Sequence, residues 1–135
     1  IDGDSFFQAT KQYLQDNDLR FIQTFSLIKN TKKEAQNLAK NYFEVYHQST
    51  NEPINALTGV VQGYDAVMLL ASAIQKCKTF DSRKVKESLE NLDTYEGAIK
   101  IYKKPFDTVN HDALNLEDFF MAIFDKDGNI VPVMD

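Results

Sequence analysis

The chain has 135 residues, 43% of them hydrophobic, which is enough for one ordinary domain with an apolar core of its own. Its formal net charge of −5 at pH 7 argues against nucleic acid or an anionic membrane as a partner, because binding to either draws on concentrated Lys and Arg. A single cysteine, Cys77, excludes an intramolecular disulfide and is expected to be a small buried hydrophobe.

The chain opens with a predicted helix and a predicted strand. Asp4 or Ser5 can cap the helix, and the polar residues 16–18 end it. The apolar face of this helix comprises Phe6, Phe7, Thr10, Tyr13 and Leu14. Residues 19–27, LRFIQTFSL, are rich in aromatic and β-branched side chains and predict the strand.

A second helix is predicted over residues 31–48. Thr31 and Glu34 have the spacing of a reciprocal capping box, and Pro53 blocks helical continuation further on. The apolar side chains on one face are Ala35, Leu38, Ala39, Tyr42, Phe43 and Tyr46. This periodicity predicts an amphipathic helix packed on a core.

The most apolar stretch, residues 59–79, predicts the central helix. One stripe comprises Val60, Tyr64, Val67, Met68, Ala71 and Ile74, and a second comprises Val61, Leu70, Ala73 and Cys77. Gln62, Asp65 and Ser72 interrupt them, which favours a core helix over a membrane span. A helix this apolar is expected to be buried between a sheet and another helix, yet the chain has few strands to cover it.

The last third of the chain predicts a short helix followed by strands. A cap within residues 79–82 starts the helix, whose inner face carries Val85, Leu89 and Leu92. A turn is expected at residues 95–97, followed by a short strand at 98–102. Asp127-Gly128 is expected to join strands at 119–124 and 129–133 as a closing hairpin. The pattern as a whole predicts an α/β architecture.

The sequence contains only weak matches to metal-binding or catalytic motifs. Residues 125–129, DKDGN, resemble the opening of a calcium loop, but the sixth position is Ile130, so a hairpin turn is the better interpretation. His111 has no His or Cys at ligand spacing, which favours a local hydrogen bond over a metal or catalytic role. Nucleophile elbows and phosphate-binding glycine loops are absent from the sequence, so no enzyme and no cofactor is predicted.

Asp4 is the strongest candidate for ligand binding. It follows Gly3, and a carboxylate beside a glycine is well placed to accept a hydrogen bond from the ammonium group of a ligand. Asp is also a preferred residue at helix N-caps, so a capping role is the structural alternative.

Several segments, in order, carry a family resemblance. They are residues 63–67 (GYDAV) with 69–74, the short helix 80–92, the turn 95–97 (YEG) and the closing strand 127–133. In this order they resemble the C-terminal third of type I periplasmic substrate-binding proteins, the branched-chain amino-acid and amide binders of ABC transporters. Two departures from that pattern are the absence of a Gly-Pro pair after Gly97 and the long segment 104–114.

The resemblance implies a fold of two lobes joined by crossover strands, with a ligand between them. It assigns residues 1–28 and 117–135 to the second lobe and residues 29–116 to the first, where helices 31–48 and 59–79 pack on a mixed sheet. It also implies that the chain is a piece of a longer protein. The piece alone is then expected to cover its sheet edges or apolar surface by self-association.

The resemblance further implies a function without catalysis. The protein would bind an amino acid or small amide outside the cytoplasm, in the periplasm or on a lipid anchor, and present it to ABC permease subunits, with no nucleic acid and no membrane insertion. Asp4 is implied as the ligand's ammonium partner, Asp2 is the competing assignment, and Phe6 lies near the cleft by proximity. The alternative is a ligand-sensing regulatory domain of the same fold.

Overall fold

The computed structural model describes residues 3–13, 19–50 and 52–133, with side chains from Ser5 onward. Four helices and five strands form in this part of the chain, together with a 3₁₀ turn at Leu116–Asp118. The helices are α1 (Gly3–Thr10), α2 (Lys33–Tyr46), α3 (Leu57–Cys77) and α4 (Ser82–Glu90). The strands are β1 (Phe21–Gln23), β2 (Thr94–Glu96), β3 (Ile101–Lys103), β4 (Phe120–Phe124) and β5 (Ile130–Pro132).

The strands form two antiparallel sheets, and the α/β class is confirmed. One sheet has the order β1-β4-β5, and β2 pairs with β3 in the other. The strand pairs in the described residues are all antiparallel, so the mixed sheet expected from the sequence is not seen there. The tight turn after β4 requires β5 to run antiparallel, which confirms the predicted closing hairpin.

Two strand predictions differ from the structure in extent. Only Phe21–Gln23 of the predicted strand 19–27 pairs with β4, because the chain then leaves the sheet toward α2. Residues 95–97 were expected to form a turn, but Thr94–Glu96 is itself a strand, and the turn lies at 97–100, where the Gly97 N–H donates to the Lys100 carbonyl at 3.0 Å.

Helix α2 begins without the predicted capping box. Its N-cap is Lys32, which makes no side-chain cap hydrogen bond, so the predicted role of Thr31 and Glu34 is wrong. The Glu34 carboxylate instead accepts from the Tyr64 hydroxyl at 3.3 Å, which draws it away from the helix terminus toward α3. The Asp81 cap of α4 forms: the Lys84 N–H donates to Asp81 Oδ1 at 3.1 Å.

Helix α1 is shorter than its sequence pattern. It ends at Thr10, Phe7 on its inner face is buried, and Tyr13 is 58% exposed and does not join the predicted apolar face. Leu14 and the expected helix end at 16–18 lie outside the described residues. The helix packs through Phe7 against Phe124 of β4, with ring centroids 5.5 Å apart.

Helix α3 forms as predicted but buries one stripe instead of two. Its buried residues are Leu57, Val61, Asp65, Leu69 and Ala73, spaced four apart on a single face. Val67 is 63% and Leu70 43% exposed, so the expected burial on most sides is wrong for this part of the chain. By length and composition alone α3 is long enough to cross a membrane, but its buried stripe packs inside the fold.

The centre of the buried α3 stripe is the carboxylate of Asp65, which is 1% exposed. Its Oδ1 accepts from the Ala98 N–H at 2.7 Å, and its Oδ2 accepts from the Ile99 N–H at 2.9 Å and the Tyr102 hydroxyl at 2.8 Å. Buried N–H groups must find acceptors, and this carboxylate serves the turn between β2 and β3. A polar residue that interrupts the apolar pattern therefore fixes α3 to that turn.

The close packing around Gly97 can be tested by substitution. A β-carbon on Gly97 would lie 2.5 Å from Tyr102 Cε2 and 2.6 Å from Asp65 Oδ2. We expect Gly97→Ala to lower the free energy of unfolding by about 1–3 kcal/mol, since overpacking a buried site forces its neighbours apart. Urea denaturation measures the change.

Gly63→Ala is the matched control. A β-carbon on Gly63 would meet nothing within 4 Å, and the residue lies inside α3. Alanine there should raise the free energy of unfolding by about 0.5–1 kcal/mol through helix propensity. Equal effects of the two substitutions would contradict the assigned packing at Gly97.

Candidate functional site

A cleft of about 590 Å³ lies where the segment after β1, the connector between α2 and α3, and the β4–β5 turn meet. Its lining residues are Leu27, Ile28, Lys29, Phe43, Thr50, Glu52, Pro53, Ile54, Ala56, Leu57, Phe124, Asp127, Gly128, Asn129 and Ile130. The volume is in the range of small-molecule sites in proteins. The cleft is therefore the candidate ligand site.

The cleft combines an apolar floor with polar groups. Ile54, Leu57 and Ile130 belong to the main core cluster, so the apolar floor is fixed by packing. Lys29 and Glu52 are exposed lining residues of opposite charge. An apolar pocket with a few charged groups suits a small molecule that has an apolar body and a charged or polar end.

The polar turn at one side of the cleft is held by its own side chains. Asp125 Oδ1 accepts from the N–H groups of Asp127 and Asn129, each at 2.9 Å, and Asp125 Oδ2 accepts from Asn129 Nδ2 at 3.0 Å. Gly128 has φ 88°, a conformation that glycine adopts without strain. The segment is thus the hairpin turn favoured by the sequence, and the described residues contain no acidic, His or Cys cluster fit for a metal ion.

The three residues proposed from the sequence as ligand contacts are only partly described. Asp2 lies outside the described residues, and Asp4 lies in α1 with its side chain outside the description. Phe6 is half-buried, and its ring centroid is 6.3 Å from that of Phe124, a residue that lines the cleft. A β-carbon on Gly128 would lie 2.9 Å from the ring of Phe7, so α1 packs against the cleft wall.

Other candidate groups from the sequence have structural partners. His111 Nε2 lies 3.6 Å from Glu90 Oε1 at the end of α4, so its partner belongs to another element and not to its own loop as predicted. Lys86, which donates to Glu90, is the main cause that lowers the pKa of that carboxyl. Cys77 is half-buried at the end of α3, with its Sγ 3.6 Å from the Ile74 carbonyl.

The sequence motifs missed the cleft itself. Ile54 and Leu57 belong to no recognisable motif, and the pattern around Phe43 indicates only that it lies on the apolar face of a helix. The available signal was indirect: Pro53 and the Asp127-Gly128 pair marked two turns, but nothing in the sequence showed that these turns face each other. These two turns come together because α3 packs on the segment after β1.

A second polar cluster, around Asp65, serves structure and not ligand binding. Burial, followed by the hydrogen bond to Asp65, raises the pKa of Tyr102 above its ordinary value of 10.0. Burial also raises the pKa of Tyr64, where the charge of Glu34 adds to it, and the pKa of Tyr95. With its donors already provided by the protein, the Asp65 carboxylate does not need a ligand.

Several solved structures have similar folds, and two of them are binding proteins. A type 1 periplasmic binding protein from Bordetella pertussis Tohama I matches with a TM-score of 0.67 and 20% identity, over 84% of this chain and 33% of that one. The leucine-binding protein LivK from Thermotoga maritima MSB8 matches with a TM-score of 0.57 and 24% identity, over 86% of this chain and 30% of that one. No protein-family profile and no curated protein matches the sequence.

These matches assign the fold. The chain has part of the type I periplasmic-binding-protein fold, as its sequence resemblance implied, and spans about a third of the length of the structures it matches. These two structures are named as binding proteins, one of them for leucine.

The raised tyrosine pKa values predict an alkaline limit to stability. Above pH 10 the unfolded chain loses the Tyr102 proton while the folded chain keeps it, so the free energy of unfolding should fall as pH rises further. Tyr102→Phe should flatten this fall, whereas Gly63→Ala, which removes no titratable group, should leave it unchanged. Urea denaturation across alkaline pH, with tyrosinate absorbance as a second readout, checks both; identical slopes would contradict the assignment.

Proposed function

We propose that the protein carrying this chain is the extracytoplasmic solute-binding component of an ABC transporter, which binds an amino acid or small amide between two lobes. The observation that carries the proposal is the cleft at the junction of two groups of elements. One group is α1 with the β1-β4-β5 sheet, and the other is α2, α3, α4 and the β2–β3 hairpin.

The chain passes between these groups twice, which suits a hinge. It leaves the sheet after β1 toward α2 and returns between β3 and β4. We assign residues 1–28 and 117–135 to the second lobe and residues 29–116 to the first. Such crossing segments can absorb the rotation that closes two lobes around a ligand and creates the form a permease recognises.

Polar contacts at the first crossing support this division. The Ser26 hydroxyl donates to the Ile130 carbonyl at 2.6 Å and so fixes the segment to β5. On the other side, Gln62 Nε2 donates to Thr24 Oγ1 at 3.1 Å and Thr58 donates to Gln23, which ties α3 to the same segment. Both groups thus hold one short stretch of backbone, and the cleft opens beside it.

The apolar floor of the cleft supports an amino acid or amide with an apolar body. An ammonium or amide group would then need an acidic or carbonyl acceptor, and we assign that role to Asp4, with Asp2 as the competing residue and Phe6 nearby. The matched leucine-binding protein supports the same ligand class. Permease subunits remain the proposed protein partner, in the periplasm or at the extracytoplasmic face.

Calorimetry against a panel of amino acids and amides tests the function. The full-length protein that carries this sequence should bind at least one of them, while the 135-residue chain alone should bind weakly or not at all, because it spans about a third of the matched structures. Micromolar binding by the chain alone would refute the proposal that the cleft needs more protein.

The isolated chain is also expected to self-associate through exposed apolar residues such as Val67 and Leu70. Sedimentation should then give a mass above that of the monomer.

Asp4→Asn in the full-length protein tests the ammonium contact. Asp4 lies in the first turn of α1, so asparagine there keeps the size of the side chain and removes its charge. Affinity should fall by about 1.5–3 kcal/mol, the contribution of a charge-assisted hydrogen bond, while the free energy of unfolding should fall by less than about 1 kcal/mol, the usual effect of one charge at a helix terminus. Asp112→Asn, at an exposed position, is the control and should change neither. Loss of affinity in Asp2→Asn instead would transfer the role to Asp2, and unchanged affinity in both would exclude this acidic contact.

A further inference from the structure

The turn between α3 and α4 concentrates positive charge. Residues 76–86, here called the basic turn, contain five of the chain's 15 Lys and Arg residues and a single acidic residue, Asp81. The five are Lys76, Lys78, Arg83, Lys84 and Lys86, and all are exposed. A chain with a net charge of −5 therefore carries a compact basic surface that its overall charge conceals.

Phe80 stands in the middle of the basic turn and is 87% exposed. It directly precedes the Asp81 N-cap of α4, a position from which an apolar side chain often packs on the residue at N4, here Val85. Val85 is buried while Phe80 is not, so this staple is not made. This large exposed ring has no packing role in the fold and is available to an interaction outside it.

The basic turn is held in shape by hydrogen bonds. Lys78 has φ 54° and its N–H donates to the Ile74 carbonyl at 2.8 Å, which ends α3 sharply. The Ser88 hydroxyl donates to the Ala73 carbonyl at 2.9 Å and joins the two helices. Phe80 therefore lies in a turn, here also called the tip, between two helices that are fixed to each other.

Three cations on the tip are available for an outside partner. Lys86 pairs with Glu90, and Lys76 Nζ donates to the Asn91 carbonyl. The other ion pairs in the described part of the chain are Lys40–Glu44, Lys100–Asp118 and His111–Glu90. None of these involves Lys78, Arg83 or Lys84, which are exposed and lie within four residues of Phe80 in the chain.

We propose that the basic turn docks on an anionic lipid surface, with Phe80 entering the headgroup region and Lys78, Arg83 and Lys84 contacting lipid phosphates. An aromatic ring among cations combines the two forces that hold proteins at such a surface, burial of apolar area and attraction to negative charge. This contact is peripheral and differs from insertion of a membrane-spanning helix.

The small apolar area of the basic turn favours a lipid surface over an acidic protein. A stable protein interface needs about 800 Å² on each partner with complementary shape. The basic turn offers one exposed ring, and none of its residues lines the cleft of the candidate ligand site. A bilayer accepts a single ring among cations without shape complementarity.

Co-sedimentation with lipid vesicles tests the proposal, on the 135-residue chain and without any amino acid, so its result is independent of the proposed transport function. The chain should bind vesicles of phosphatidylglycerol and not those of phosphatidylcholine, and salt should weaken the binding. Each cation at an anionic leaflet contributes roughly a fivefold increase in partitioning, so Lys78→Gln/Arg83→Gln/Lys84→Gln should reduce binding by at least about tenfold. Phe80→Ala should reduce it severalfold.

Matched controls separate the basic turn from general effects. Lys103→Gln/Lys104→Gln/Lys126→Gln makes the same change in net charge at exposed positions elsewhere, and Val67→Ala removes an exposed apolar side chain from α3. Both should bind as the parent does, and melting curves confirm that every variant folds. Equal losses in the controls, binding to phosphatidylcholine vesicles, or binding to polyaspartate that equals vesicle binding and ignores Phe80 would overturn the proposal.

Discussion

The buried carboxylate of Asp65 is the interaction on which the described fold most depends. It accepts from two adjacent backbone N–H groups and from the Tyr102 hydroxyl, and so fixes the centre of α3 to the turn between β2 and β3. Gly97 permits the approach, because a β-carbon there would collide with both the carboxylate and the tyrosine ring. Removing the acceptor would leave buried donors unsatisfied, which costs more than the loss of an apolar contact.

The position of α3 has consequences at both of its ends. Its first turns contact the segment after β1 through Thr58 and Gln62, and this places Leu57 in the floor of the cleft. Its last turn ends at Lys78 and presents Phe80 on the tip before α4. The candidate ligand site and the proposed lipid-docking surface are thus held by the same helix, about 20 residues apart in sequence.

Local patterns predicted α2, α3, α4 and the closing hairpin, because each depends on periodicity, an N-cap or a glycine turn within a short stretch. Predictions that needed knowledge of neighbours were wrong. Glu34 was expected to cap its own helix but accepts from Tyr64, and Val67 was expected to be buried but is exposed. From the sequence, Asp65 was interpreted only as an interruption of an apolar stripe. The neighbouring residues in the chain do not show whether its carboxylate is a buried hydrogen-bond acceptor or a solvated one.

The sequence by itself determined the α/β class, the helices, the closing hairpin and the resemblance to type I periplasmic binding proteins, because these rest on hydrophobic period and short motifs along the chain. Only the tertiary structure decided which turns meet to form the cleft, which face of α3 is buried and which donors the Asp65 carboxylate serves. These depend on distances between residues far apart in sequence, such as Asp65 and Ile99 or Ser26 and Ile130. Such distances arise from packing, which no single stretch of sequence encodes.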